Sequence, residues 1–512
     1  MSAPALTPDP AAGWWTKPAL LMALILLSGA PLWWPGIPPL TDLLGHMGRY
    51  AVQLDAGHSP HLARWYNFEW HWIGNLGVDL LVQVFGPFFG VEIATKLIAI
   101  LIPMLTVAGF LAVAREAHGQ VPPTAFFALP LAYSYPFLWG FVNFALSMAL
   151  AFLAFAFWLR LGRLGRLRLR FALFLPLSLL LWTAHMYGWA TLAVLAASAE
   201  LTQNNIFSRQ WARALWSTAR RCACLLPPLV PMALQFSAGG AGGQPWGRVW
   251  FNVDLKSRWV LSIFRDRWEW FDTASLGLLA AVLAVALVRK AALARPLVLA
   301  ASLLLGLYLL IPHSLLGSAY ADMRLAPYGL AVALLAIGQP RGRAGLWAGA
   351  ALAFFGLRLM GTALSAYDYD QSYRQELAAL DHLPMGARLL SLVGRPCHED
   401  WSVHRLDHLP SVALVRRHAF ANDQWDAQGA QLISVRYGAA GLFQSDPSQF
   451  VVQPRCARRE RRAFPDAIAQ FPRDAFDYVW IIQQPDTPVE MEGLQRIWQN
   501  GRSALYRVVR TK

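Results

Sequence analysis

The chain has 512 residues, 56% of them apolar and 23 of them Trp, with a mean hydropathy of +0.37; that excludes a soluble protein of this length and describes a polytopic membrane protein. The formal net charge is +14, from 44 Lys plus Arg against 30 Asp plus Glu. Much of the excess lies in short basic clusters between apolar runs, a topology signal that argues against nucleic acid as a partner.

The first apolar run, 18–35, contains Trp33 and Trp34 and lacks a small-residue cleavage site before a polar region, so it reads as a retained anchor. In the following PPLTDLLGHMGRYAVQLD, Asp42, His46 and Arg49 stand four and three positions apart. A helix starting near Leu40 carries them on one face. Leu43, Leu44, Met47, Tyr50 and Leu54 cover the rest, the pattern of a helix lying in the membrane interface. Asp42 there is either a helix cap or a general base toward an incoming hydroxyl, a role typically worth ~10²- to 10⁴-fold. His46 either assists it, carries a proton, joins a metal site or is a plain interfacial residue. The loop continues as SPHLARWYNFEWHWIGN. Tryptophans belong to aromatic belts, while Glu69 and His71 beside Trp65 and Tyr66 suit a sugar or acceptor site, because aromatic faces stack on a pyranose.

Basic clusters at 160–170, 209–221, 289–295 and 341–343 adjoin runs able to cross about 30 Å of hydrocarbon and are expected on the cytoplasmic side. Spans near 18–35, 92–114, 120–135, 139–159, 171–184, 187–203, 222–238, 273–288, 297–311, 325–338 and 344–362 alternate with them, about eleven in all. Segment 73–89, with Asp79, Gly86 and Pro87, is then a broken or partly inserted helix, because a full crossing would invert the rest. Extracytoplasmic loops are expected at 36–72 and 239–272.

The second loop carries Lys256, Arg258, Arg265 and Arg267 among tryptophans, either a phosphate site or a basic interfacial helix for any anionic lipid. The turn PHSLLGSAYADMRLAPYGL brings His313, Tyr320, Asp322 and Arg324 to the edge of hydrocarbon, where a charge is costly unless paired or serving a ligand. Arg324 is the best candidate for a lipid-linked phosphate, with Lys256, Arg258, Arg265 and His313 beside it. Tyr320 and Asp322 join the sugar or acceptor set, and an Asp322–Arg324 ion pair is the plainer alternative. Acidic residues within the spans are nearly missing apart from Asp79 and Glu92, which weighs against a proton-driven transporter.

After residue 362 the pattern changes. GARLLSLV, SVALVRR, FDYVWIIQQ and SALYRVV read as strands, and QSYRQELAAL and MEGLQRIWQ as helices. The expectation is a membrane domain over 1–362 and a small extracytoplasmic α/β domain over 363–512. Cys222 and Cys224 open a span; Cys397 and Cys456, in the tail, either form a disulfide in an oxidising compartment or stay unpaired in a core. No cysteine spacing suggests a zinc site.

Three segments, PPLTDLLGHMGRY, LVQVFGPFFGVEIATKLIAILIPMLTVAGFLAVAR and ADMRLAPYGL, give the chain a resemblance, over about 15–360, to the C-type (GT-C) superfamily of membrane glycosyltransferases. That superfamily includes the protein O-mannosyltransferases and the lipid A aminoarabinose transferase. Its members look alike in an essential acidic residue just after span one, which Asp42 matches, and in a late loop whose basic residue serves the lipid phosphate, which Arg324 matches. Many carry two adjacent acids there; here Leu43 follows Asp42, leaving a second carboxylate to Asp55, Glu69 or Asp79. The resemblance implies an all-α polytopic bundle and inverting transfer of a glycosyl group from a polyprenyl-phosphate sugar, as the donor substrate, to an acceptor at the extracytoplasmic face. Asp42 is then the base, and Arg324 with Arg265 or Lys256 holds phosphate. A divalent metal is left open. Expected partners are membrane lipid, lipid-linked sugar and an acceptor glycan, lipid or protein; the expected state is a monomer in the inner membrane, N-terminus cytoplasmic and tail periplasmic. The rival readings are a ligase or polymerase of lipid-linked glycans and a non-enzymatic lipid or polysaccharide carrier.

Overall fold

The computed structural model describes residues 13–55, 57–237, 247–248, 250–315, 319–340, 342–426, 431–458 and 461–510. Apolar runs form helices here because hydrocarbon offers no partner for backbone N–H and C=O groups. In chain order they are α1 (Pro18–Leu27), α2 (Thr41–Asp55), α3 (Gly77–His118), α4 (Tyr135–Trp139), α5 (Val142–Arg163), α6 (Leu167–Ala184), α7 (Met186–Gln203), α8 (Trp211–Cys222), α9 (Leu229–Ser237), α10 (Val253–Leu261), α11 (Glu269–Val288), α12 (Arg295–Leu310), α13 (Ala326–Leu335) and α14 (Ala344–Leu377). Short strands β1 (Tyr66–Phe68), β2 (Gly247–Arg248) and β3 (Ser314–Leu315) lie between them. Among the described residues, the stretches containing α3, α5, α6, α11 and α14 are long and apolar enough to cross a membrane.

The basic clusters gather at one end of the bundle. Arg170 and Arg221 share Glu200 at 2.9 and 2.8 Å, and Arg163 pairs with Glu116 near the end of α3. His118 meets the Leu335 carbonyl, and the loops at 294 and 336 are hydrogen-bonded. Arg341 lies outside the described residues. Helix α3 breaks at Gly90 (φ 75°) into two arms. Glu92, just past the break, bonds Arg416 of the tail at 2.8 and 2.9 Å, whereas Arg115 closes the helix at the basic end. The second arm therefore runs from the tail side to the basic end of the bundle, while the first packs beside α2.

The expected span at 120–135 is a 3₁₀ helix, Pro123–Tyr133, with every residue buried. Its 11 residues rise about 2 Å each, roughly 22 Å in all. Thr124 at one end donates to the Ile337 carbonyl, and Tyr133 at the other donates to the Ser28 carbonyl. Such backbone is tolerated at membrane depth only when protein surrounds it.

Helix α2 departs from the interfacial expectation, because Leu43, Leu44, Met47 and Tyr50 are fully buried, and Arg49 with them. The first arm of α3 packs on one side and the tail covers the other. Arg49 pairs with Asp79 at 2.9 Å, both at 0% exposure, and the Asn143 amide donates to Asp79 at 3.0 Å. A Cβ on Gly45 would meet the Trp425 ring of the tail at 2.6 Å, so only glycine allows this approach.

Helix α14 runs unbroken through position 362 to Leu377 and leads into the tail. There β4 (Arg388–Gly394), β5 (Phe420–Ala421), β7 (Phe450–Val452), β8 (Arg462–Ala463), β9 (Tyr478–Ile482), β10 (Leu494–Asn500) and β11 (Ser503–Val508) form one seven-stranded sheet, ordered β10-β11-β9-β4-β7-β8 with β5 also on β4. The pairs β4–β9, β4–β7 and β7–β8 are parallel, whereas β10–β11 and β11–β9 are antiparallel. Strand β6 (Ile433–Val435) instead pairs with β1, joining the first loop to the tail. Helices α15 (Val412–Arg417) and α16 (Phe464–Gln470) complete the domain.

Two tail elements correct the expectation. SVALVRR forms α15, since Val412, Ala413 and Leu414 are all buried, and four consecutive apolar residues have no period that distinguishes helix from strand. MEGLQRIWQ contributes β10: the two-residue turn Gly501-Arg502, with Gly501 at φ 52° in its first position, leads the chain into a hairpin with β11. Cys397 and Cys456 are joined as a disulfide.

Candidate functional site

Asp42 sits in the first turn of α2, where Gly140 holds it from behind: at φ 102°, a Cβ there would strike the Asp42 backbone nitrogen at 2.6 Å. Segment 139–141 touches both Asp42 and Arg324. The Trp139 indole lies near enough to the Asp42 carboxylate to favour its ionised form, and the Arg324 guanidinium lies over the Phe141 ring at 4.4 Å, with the Phe144 and Tyr187 rings at 5.7 and 5.6 Å. Asp42 and Arg324 are close enough to act on each other electrostatically. Burial, then Asp407 and Asp446, push the Asp42 carboxyl well above the ordinary carboxylate range; Arg324 and Trp139 oppose them.

Arg324 is 7% exposed. Among the described residues it has no carboxylate at ion-pair distance: its Nη2 reaches the Ala319 carbonyl at 3.5 Å, and its buried Nε has no partner. The expected Asp322–Arg324 association does not form. Asp322 is instead held by Lys256 at 2.8 Å and His313 at 3.3 Å. Burial alone raises the Asp322 carboxyl, yet these two hydrogen bonds hold it below its usual range. The Lys256 ammonium also donates to the Tyr308 and Ile311 carbonyls, both at 2.7 Å; with its three donors occupied, it braces the loop and offers nothing to phosphate. His313, stacked on Trp259, belongs to the same brace. Arg258 is exposed on α10, away from it. Arg265 donates to the Trp401 and Asp400 carbonyls at 2.7 and 2.6 Å, so it fastens the tail to the bundle. Tyr320 does reach the site, 5.3 Å from Trp139 between ring centroids.

The expected sugar face in the first loop disperses. Trp65 and Tyr66 are each 3% exposed, packed under the tail, with the Tyr66 hydroxyl donating to the Ala421 carbonyl; no face is left for a pyranose. Glu69 and His71 stand exposed beside each other at 3.8 Å, on the rim next to β1. Of the three suggested second carboxylates, Asp79 is consumed by Arg49, Asp55 accepts from the Ser59 N–H, and Glu69 is at that exposed rim.

The carboxylates beside Asp42 come from the tail. His408 Nε2 is 4.0 Å from both Asp42 Oδ1 and Asp446 Oδ1. Its Nδ1 faces the Asp423 carbonyl at 2.9 Å; a carbonyl only accepts, so Nδ1 carries the proton, and in the neutral ring Nε2 presents a lone pair to the two acids. Burial lowers the His408 pKa and keeps that ring neutral. Burial also pushes Asp407 up to about 7, against the opposing Arg395 at 2.5 Å. Asp423 is pushed up to about 8 by burial despite two hydrogen bonds from Ser411. His46 lies one turn along α2, its ring 5.0 Å from Trp425, its buried Nδ1 without a partner among the described residues and its pKa lowered by burial and then by Arg49. RLDHLP, NDQWD and SDPSQ were legible only as polar loop segments; their sole signal was many carboxylates and amides in a domain with few apolar runs. Among the described residues no group of three His, Cys, Asp or Glu side chains is placed to hold a metal ion.

No family profile matches this sequence, and no curated protein matches it. Among solved structures, the chain is similar to the crystal structure of ArnT from Cupriavidus metallidurans bound to undecaprenyl phosphate. The TM-score is 0.50 at 12% identity, covering 96% of this chain and 98% of that one. What the two share at that identity is the fold, here a multi-span helical bundle with a C-terminal mixed-sheet domain.

Proposed function

We propose that the chain transfers a glycosyl group from a polyprenyl-phosphate-linked sugar to an acceptor hydroxyl or amine at the tail side of the membrane. One observation carries the reading: beside segment 139–141 a carboxyl with a raised pKa and a buried guanidinium that has no carboxylate at ion-pair distance among the described residues are close enough to act on each other. The fold shared with ArnT, crystallised with undecaprenyl phosphate, supports it. Arg324 binds the donor phosphate through a charge-assisted pair. The acceptor oxygen or nitrogen forms a bond to the anomeric carbon as the bond from that carbon to the phosphate oxygen breaks. The acceptor proton passes to Asp42, and polyprenyl phosphate leaves with its added charge stabilised by Arg324.

A raised pKa makes Asp42 a stronger base but requires it to be ionised, so activity falls as pH drops through that pKa. The test is conversion of a radiolabelled polyprenyl-phosphate sugar by purified protein in nanodiscs. Asp42→Asn is expected to lose at least a hundredfold in turnover with donor affinity retained. Retained turnover in that variant sinks the assignment.

A further inference from the structure

Parallel strands β7, β4 and β9 all deliver their chains at the same edge of the tail sheet, and a cleft of about 700 Å³ opens there. Gly394, Gln453 and Gln483, at or just beyond the carboxyl ends of these strands, line it. Loops leaving adjacent parallel strands diverge, and such crevices are where open α/β sheets bind ligands. Its volume falls within the range of ligand pockets, roughly 300–1,000 Å³. The Cys397–Cys456 disulfide ties the loop after β4 to the loop after β7 and so fixes the rim.

The unsatisfied atoms of the lining define what it would accept. Among the described residues, Arg395 Nε, Arg405 Nε and His404 Nε2 are buried without partners, as is Asp407 Oδ1. The guanidinium nitrogens require oxygen acceptors, and the carboxylate oxygen suits a hydroxyl donor. Arg395 and Arg405 are already matched by Asp407 and Asp266. Arg455 and Arg502, by contrast, line the cleft as exposed guanidiniums with no carboxylate partner among the described residues; Arg502 is fixed in place by donating Nε and Nη2 to the Gln484 carbonyl, and its remaining N–H groups, like the Arg455 fork, favour carboxylate or phosphate oxygens. Asp400 and Asp486 add further acceptors for hydroxyls. Asp407 belongs both to this cleft and to the acids that act on Asp42.

We infer that the tail cleft binds an acidic saccharide, its oxyanion against Arg455 and Arg502 and its hydroxyls against the inner wall. Resting on the glycosyl-transfer reading, this saccharide is the acceptor, presented toward Asp42 past Asp407 while the donor lies on the Arg324 side.

The test uses full-length protein and a fluorescent oligogalacturonate, with its carboxyl-reduced neutral counterpart as control. The acidic oligosaccharide is expected to bind at least tenfold more tightly than the reduced one. The double variant Arg455→Gln/Arg502→Gln, two exposed positions, is expected to lose that preference while binding undecaprenyl phosphate unchanged. Equal binding of the two saccharides, no binding of either, or an unaltered preference in the double variant overturns the inference. Anchoring the same oligosaccharide to a lipid in nanodiscs identifies the source: tighter charge-dependent binding points to a glycolipid headgroup, equal binding to a free glycan, and both support the site. Charge-dependent saccharide binding together with an Asp42→Asn variant of undiminished turnover would leave the cleft standing and remove only its acceptor role.

Discussion

Replacing Arg324 by Gln separates a ligand-binding guanidinium from a structural one, because the two roles predict opposite effects on stability. Burying an ion costs several kcal/mol, and the three aromatic faces around Arg324 return roughly 1–2 kcal/mol each at best. No carboxylate among the described residues pairs with it. Arg324→Gln should therefore melt no lower than the parent. The same change removes a charge-assisted contact to phosphate worth about 1.5–3 kcal/mol, so undecaprenyl phosphate should bind roughly 10- to 150-fold more weakly. Asp42 also loses an influence that lowers its pKa, and the base limb of the pH–rate profile should move to higher pH. The assays are lipid-phosphate titration by native mass spectrometry, thermal unfolding in detergent and turnover against pH. A variant that melts several degrees lower yet binds the lipid within twofold of the parent would refute the reasoning and make Arg324 a structural residue.

Other perturbations report on the surrounding structure. Asp423, pushed up to about 8 by burial, holds in the folded protein a proton that the unfolded chain releases near its ordinary pKa; its stabilisation is full in acid and lost as pH rises through 8. Asp423→Asn keeps an oxygen for Ser411 and should flatten the fall in melting temperature between pH 5 and 8, a difference of about 4 kcal/mol at most; an unchanged slope contradicts the assignment. Asp79→Ala leaves Arg49 charged and buried and should cost about 3–5 kcal/mol, most of it recovered with Arg49→Met; strictly additive losses in the double-mutant cycle would rule out the pairing. Serine at both Cys397 and Cys456 opens a loop of 59 residues, worth about 4 kcal/mol by chain entropy. The tail should then become protease-sensitive before the bundle, and equal resistance would show that the bond contributes little.

Hydropathy and charge alone determined that the chain is a membrane bundle with its basic clusters at one end, because hydrocarbon forces internal hydrogen bonding and Lys and Arg mark the loops. They also gave reason to read 73–89 as a broken or partly inserted helix, and α3 does break at Gly90. Local pattern placed α2, with Asp42 in its first turn, and singled out Arg324. Partner choice lay beyond it. That Lys256 is spent on Asp322, that Trp65 and Tyr66 are packing under the tail, and that Asp407, His408 and Asp446 surround Asp42 are consequences of folding the last third of the chain over the first loop. Periodicity reports which face of an element is buried. It carries no information about which distant segment buries that face, and on that choice depended every carboxylate beside Asp42.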